Sequence, residues 1–218
     1  MNKLALAFTA VLALISTNVF ALGNAASGQE KIETCTGCHG PQGNAIVPIY
    51  PKLAGQSEGY LLKQLRDFKS GARKDGIMLG MVAPLSDADM ANIAAYYAAQ
   101  TVTKGVTTKD DAVFVLGQKI YRGGRKHLPD HRQVTACIAC HGPKGKGIPT
   151  AGFPSLASQN AAYTAKQLKA FRQDALNAQT GATAHVRTND YESMMRRVAK
   201  NLTNEEINAV SQYIFGLN

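Results

Sequence analysis

The chain has 218 residues, 24 Lys and Arg against 15 Asp and Glu, and no Trp. Residues 22–104 hold eight basic and seven acidic side chains and residues 105–218 hold fifteen and eight, so the excess sits in the second half. The lysines are not interleaved with aromatics in the manner of a nucleic-acid binder, which excludes that class. A basic half suits docking to an acidic partner or a membrane face, or simply keeps the chain soluble.

Met1-Asn2-Lys3 is followed by an apolar run from Leu4 to Ile15, and Val19-Phe20-Ala21 places small residues where a signal peptidase cuts. The run is shorter than the ~20 residues of a membrane span. Residues 1–21 are therefore read as a cleaved signal peptide for export to the periplasm, with an uncleaved anchor as the rival reading. The mature chain has a length that suits one medium domain or two small ones.

Cys35-Thr36-Gly37-Cys38-His39 recurs as Cys137-Ile138-Ala139-Cys140-His141, and the two copies use all four cysteines. C-x-x-C-H is the attachment signature of c-type haem: each thiol joins a vinyl group and the histidine ligates the iron. Two covalent haem c groups are expected, held by Cys35, Cys38, Cys137 and Cys140, with His39 and His141 on the irons. A zinc site would need third and fourth ligands at finger-like or ribbon-like spacing, which the long gap between the pairs does not offer. Two disulfides are the other alternative.

The repeat extends beyond these pentapeptides. Gly28-Gln29 corresponds to Gly117-Gln118, Tyr50 to Gln56 (YPKLAGQ) to Phe153 to Gln159 (FPSLASQ), and Tyr60 to Phe68 to Tyr163 to Phe171. Leu85 to Tyr96 matches Leu202 to Tyr213. Two long copies make a tandem duplication rather than a solenoid. The units are placed at 22–100 and 112–218, joined by a polar, extended linker at 101–111. Within each unit the pattern is helical, and no alternating strand pattern of useful length occurs. A short helix is predicted over Ala26 to Glu33, a second over Tyr60 to Ser70, and a third from a Ser86 N-cap to about Gln100 with Met90, Ile93, Ala94 and Tyr97 on one stripe. Thr203-x-x-Glu206 forms a capping box before Ile207, Val210 and Ile214. The second unit carries extra residues at 122–133 and 175–189. With few aromatics for two conventional cores, a haem would supply an apolar plate to pack around.

Function turns on the sixth iron ligand. A methionine thioether raises the potential, a histidine lowers it, and an open position admits small molecules. The candidates are Met78 and Met81 in the glycine-bearing loop Gly76 to Met81, and Met194 and Met195. Only Met78 and Met195 stand at one common spacing, seven residues, before Leu85 and Leu202. Met81 and Met194 are read as packing residues, and Met90 as core. His127, His131 and His185 have no counterparts in the first unit, and His185 is read as a loop histidine. Pro51 and Pro154 each follow a haem histidine at similar distance, and the sequence reads equally as a carbonyl that accepts the ring Nδ1 proton or as a turn proline alone.

The doubled C-x-x-C-H, the P-x-L-A-x-Q segments, the Tyr-x-x-x-Gln helices, Arg187 to Asp190 (RTND) and the ending Tyr213 to Leu217 together resemble the cytochrome c4 family, diheme periplasmic electron carriers. The resemblance covers essentially the whole mature chain. It implies an all-α fold of two class I cytochrome c domains with haem propionates meeting near their interface. It also implies electron delivery from a quinol-oxidising complex toward a terminal haem–copper oxidase, with no small-molecule substrate. Lys126 to Arg132 departs from the family in being more charged and less glycine-rich. A diheme peroxidase would need one displaceable ligand and a distal acid–base group, and no such constellation stands out. The diheme subunit of a larger dehydrogenase stays open.

Overall fold

The structure is a computed structural model that describes residues 23–107, 111–125 and 133–218. Residues 1–21, expected as a signal peptide, and the charged stretch 126–132 with His127 and His131 lie outside the described residues.

The described residues fold into ten α-helices with no strand among them; the only ladder elements are isolated bridges at Arg73–Arg187, Arg125–Val134 and Ile148–Phe153. The first unit contains α1 (Ala25–Gln29), α2 (Glu33–His39), α3 (Glu58–Ser70), α4 (Gly76–Val82) and α5 (Asp87–Ala98). The second contains α6 (Ala112–Gly123), α7 (Ile138–His141), α8 (Ala161–Thr180), α9 (Met194–Ala199) and α10 (Asn204–Gly216).

The stripe on α5 is the core of the first unit: Ile93, Ala94, Tyr96 and Tyr97 are buried with Ile32 and Leu61, and Cys35 packs against them. In the second unit α10 supplies Ile207, Val210, Tyr213 and Ile214, which join Phe114, Ile120 and Tyr121 of α6; Cys137 and Ile138 pack on this cluster. Each terminal helix crosses the first helix of its unit over a glycine. A Cβ on Gly28 would lie 2.0 Å from the Asn92 carbonyl oxygen, and one on Gly117 would lie 2.1 Å from that of Ala209. The repeated Gly-Gln pair thus marks the point where two helix backbones meet.

Two sequence expectations need correction. The helix expected over Ala26 to Glu33 ends at Gln29, and a separate α2 carries the first haem motif. The segment 76–81, expected as a loop, is helical, because Asp75 caps it by accepting the Met78 N–H at 3.2 Å. The extra residues near 175 begin as a continuation of α8 to Thr180, closed by Gly181 at φ 73°.

Both expected caps of the terminal helices are present as full capping boxes, Ser86 with Asp89 and Thr203 with Glu206. Hydrogen bonds from Ser86, aided by Lys31 at 3.3 Å, hold the Asp89 carboxyl down at about 2. A carboxyl lowered in the folded state contributes stability above its unfolded value near 3.8, and that contribution is lost as pH falls toward 2. Ser86→Ala is therefore expected to lower the melting temperature by a few degrees at neutral pH. The gap between variant and parent should narrow in melts recorded in acid; a gap that widens there would contradict this account of the cap.

The two units meet through reciprocal glutamines. Gln159 accepts the Lys52 N–H at 2.8 Å and donates to the Lys52 carbonyl at 2.9 Å. Gln56 accepts the Ser155 N–H at 2.8 Å and donates to the Ser155 carbonyl at 2.9 Å. Lys52 and Ser155 are equivalent positions of the repeat, so each amide clamps the same peptide of the other unit. Gln159→Leu leaves a buried peptide unpaired and is expected to cost ~2 kcal/mol in urea unfolding. A loss below about 0.5 kcal/mol would mean that the clamp does not hold the units together.

Candidate haem sites

Each haem motif is a helical turn with its histidine at the end. His39 closes α2 before Gly40 at φ 76°, and His141 closes α7 before Gly142 at φ 75°. Both imidazoles are buried. His39 Nδ1 lies 2.9 Å from the Pro51 carbonyl oxygen, and His141 Nδ1 lies 2.9 Å from that of Pro154. A carbonyl only accepts, so Nδ1 carries the proton and Nε2 keeps its lone pair. Burial lowers the pKa of both rings, the carbonyl contacts offsetting part of that, so each ring stays neutral and able to ligate iron.

The four cysteines are unpaired and half-buried. Burial raises the thiol of Cys35 and pushes that of Cys137 up to about 12. Such thiols are poor nucleophiles at neutral pH, unlike those of a dithiol oxidoreductase. Among the described residues no group of three or more His, Cys, Asp or Glu gathers as a metal-binding set.

The methionines sit on matching helices. Met78 stands five residues before Ala83, the C-cap of α4, and Met195 five before Lys200, the C-cap of α9. Met78 is half-buried and Met81 is 42% exposed. Met194 and Met195 are both half-buried, so burial does not separate them. The two helices are entered differently: α4 starts from Asp75-Gly76, whereas α9 follows Glu192 and Ser193, both left-handed at φ 45° and 59°. Non-glycine residues in that region store strain that surrounding structure must hold. Here Asp190 braces the segment by accepting from the Arg196 N–H at 3.0 Å and from its Nε at 2.8 Å. His185 lies 3.6 Å from the buried Asp174 carboxylate.

These residues fit a covalent haem. The Tyr97 hydroxyl is buried close beside the Cys35 thiol and has no other hydrogen-bond partner among the described residues. Apolar side chains stand exposed on the segments that follow His39 and carry Met78: Ile46 at 93%, Ile77 at 61% and Leu79 at 47%. An apolar plate between these segments would cover surface that a soluble domain rarely leaves open.

The cytochrome c family model matches residues 25–99 and 115–218, one match per unit. Over the full length of both chains the sequence is 43% identical to cytochrome c4 of Pseudomonas aeruginosa. The chain belongs to the cytochrome c4 family. The crystal structure of reduced recombinant cytochrome c4 from Pseudomonas stutzeri superimposes with a TM-score of 0.78 at 43% identity, covering 90% of this chain and all of that one. A thiosulfate dehydrogenase electron acceptor of Stutzerimonas stutzeri is 35% identical over 82% of this chain and 76% of its own. As a cytochrome c4, the chain is all-helical, comprises two cytochrome c domains, binds two haem c groups covalently and transfers electrons.

Sequence reasoning did not find the residues that join the two units. Arg187 stood out only as the first residue of the RTND segment and Arg73 not at all, because the second unit's insertion obscures their correspondence. Tyr60 with Tyr163 and Gln64 with Gln167 were visible as repeat matches, but nothing in the sequence said that they meet across the interface.

Proposed function

We propose that this cytochrome c4 carries single electrons in the periplasm from a quinol-oxidising complex toward a terminal haem–copper oxidase, without catalysis of its own. In this reading Cys35, Cys38, Cys137 and Cys140 form the thioethers, and His39 with Met78 and His141 with Met195 are the axial pairs. The bound haems supply reversible one-electron iron chemistry. The protein's part is to hold each imidazole neutral and oriented, keep water from the iron, and present a soft thioether that favours the ferrous state. Domains at 22–100 and 112–218, the linker at 101–111 and removal of residues 1–21 belong to the same reading.

One observation carries it: the same construction, a buried histidine pinned by a proline carbonyl and a methionine five residues before a helix C-cap, occurs in both units. A peroxidase needs one site that differs in ligation, and the two constructions match. Among the described residues no helix is long and apolar enough to cross a membrane, which agrees with a carrier docking through its basic second half. The test is reconstitution with a purified quinol-oxidising complex and an oxidase. Reduction by the first and oxidation by the second, both faster than without this chain, are expected; failure of either step contradicts the assigned route.

The likeness to thiosulfate dehydrogenase electron acceptors supports a second reading, in which this chain accepts electrons from a dehydrogenase. Rapid thiosulfate-dependent reduction by a thiosulfate dehydrogenase, with no reduction by the quinol-oxidising complex, would favour it.

A further inference from the structure

Each haem histidine is pinned by a peptide group whose other side is held by the opposite unit. The carbonyl that faces His39 Nδ1 at 2.9 Å belongs to the peptide joining Pro51 to Lys52, and the N–H of that same peptide donates to Gln159 Oε1 at 2.8 Å. The carbonyl that faces His141 Nδ1 at 2.9 Å belongs to the peptide joining Pro154 to Ser155, and its N–H donates to Gln56 Oε1 at 2.8 Å. Both histidines and both glutamines are buried.

Each glutamine is itself fixed. Its Nε2 donates to the carbonyl of Lys52 or Ser155, at 2.9 Å in both cases. Its Oε1 also accepts the N–H of the next residue in its own unit, Asn160 at 2.9 Å and Ser57 at 3.0 Å. These bonds settle the amide orientation: the oxygen faces the peptide N–H, since a nitrogen there would set donor against donor.

A peptide is one conjugated group. An acceptor at its N–H shifts electron density onto its carbonyl oxygen and strengthens the bond that this oxygen accepts, by roughly 10–30% in condensed-phase estimates. A stronger acceptor on Nδ1–H makes the imidazole a more basic ligand. A more basic ligand favours ferric over ferrous iron. Adhesion alone does not require this particular peptide. Asn160 also ties the units, donating to the Ala45 and Tyr50 carbonyls at 3.2 and 2.9 Å, and it leaves the peptide that meets His39 untouched. The glutamines grip the peptide that meets the histidine, and they do so in both directions.

We propose that Gln159 and Gln56 are positioning residues that tune the haem of the opposite unit, each acting on the peptide N–H whose carbonyl holds that unit's haem histidine. Docking of the two units thus makes both imidazoles more basic and lowers both midpoints. The proposal rests on the reading that His39 and His141 ligate the two irons.

The test is a redox titration of the haem-loaded, nitrogen-15-labelled full chain followed by NMR, with each midpoint read from the amide signals of its own unit. Gln159→Leu is expected to raise the N-terminal midpoint by about threefold in the ferrous-to-ferric ratio, ~28 mV, and to leave the C-terminal one in place. Gln56→Leu should do the reverse. In the reduced, diamagnetic state the His39 Nδ1 proton signal should move upfield in Gln159→Leu, and that of His141 should not. Gln159→Asn is a milder change that should raise the same midpoint by less, which keeps the test intact if the leucine variants do not fold. Asn160→Ala removes two interface hydrogen bonds and should leave both midpoints near the parent values. A clamp with a structural role alone would instead admit water to both haems when loosened and lower both midpoints. A fall in either midpoint, equal movement of both, no movement of either, or the same rise from Asn160→Ala would overturn the proposal. Ring signals of His39 and His141 that show no displacement by a haem ring current in the reduced parent would overturn the ligation reading, and the proposal with it.

Discussion

Replacing Met195 by alanine is expected to open the sixth position of the C-terminal haem: its midpoint should fall by on the order of 120 mV, a hundredfold change in the ferrous-to-ferric ratio. The reduced variant should also bind carbon monoxide. A thioether is a soft ligand that stabilises ferrous iron, and water or an empty position does not replace it. Met195 holds its place through the first turn of α9, not through side-chain hydrogen bonds. Asp190 fixes the Arg196 backbone one residue later, and the left-handed Glu192 and Ser193 set the entry angle of α9. Met78→Ala should act on the other midpoint alone, because α4 has its own cap on Asp75. The neighbouring substitutions Met194→Ala and Met81→Ala serve as the comparison. They should leave both midpoints within a few tens of millivolts of the parent, the range of altered packing rather than altered ligation. A large fall with Met194→Ala and none with Met195→Ala would reassign that ligand.

Gly117→Val and Gly28→Val should each be among the most destabilising single changes outside the haem ligands, by ~3 kcal/mol or more in denaturant unfolding. The reason is backbone against backbone. The Cβ of residue 117 would fall 2.1 Å from the Ala209 oxygen and 2.8 Å from the Tyr213 Cβ. That of residue 28 would fall 2.0 Å from the Asn92 oxygen and 2.9 Å from the Tyr96 Cβ. Neither neighbour is the end of a flexible side chain, so the helices themselves must separate. Separation pulls α10 from Phe114 and Tyr121 in the second unit, and α5 from Ile32 in the first. Because Cys137 and Cys35 pack on these same clusters, reduced haem retention during expression should accompany the loss of stability. Gly123→Ala provides the contrast: a Cβ there meets nothing within 4 Å, and the change should be close to neutral. Unfolding midpoints for Gly117→Val and Gly123→Ala that coincide would refute the close-approach argument.

Local chemistry made much of this legible in the sequence. The haem motif is five consecutive residues, and the capping boxes at Ser86 and Thr203 need only three residues of separation to declare a helix start. The stripe Met90, Ile93, Ala94 and Tyr97 is buried throughout, as its periodicity requires. The carbonyls of Pro51 and Pro154 accept from the two histidines, one of the two roles that their spacing left open. What sequence did not reveal was set by less local forces. Gly76 and Gly80 made α4 read as a loop, whereas the Asp75 cap and the following apolar residues hold it helical. The first helix breaks after Gln29 because the Lys31 N–H turns back to the Gly28 carbonyl at 2.9 Å, a break that the apolar pattern does not signal. The interface is the clearest case. Gln56 with Gln159 and Tyr60 with Tyr163 could be paired as repeat equivalents, but their contacts run between residues some 90 to 127 positions apart in the chain. Arg187 reaches that interface only because the buried Asp174 gathers the inserted segment by its backbone N–H groups. No short-range pattern encodes such a return.

In the proposed function both haems are six-coordinate, methionine-ligated electron carriers. An optical redox titration of the purified mature protein, with carbon monoxide added to the reduced form, tests it most directly. Two high-potential one-electron steps and no carbon monoxide adduct are expected. One low-potential haem, or one that binds carbon monoxide readily, would show an open site and contradict the account.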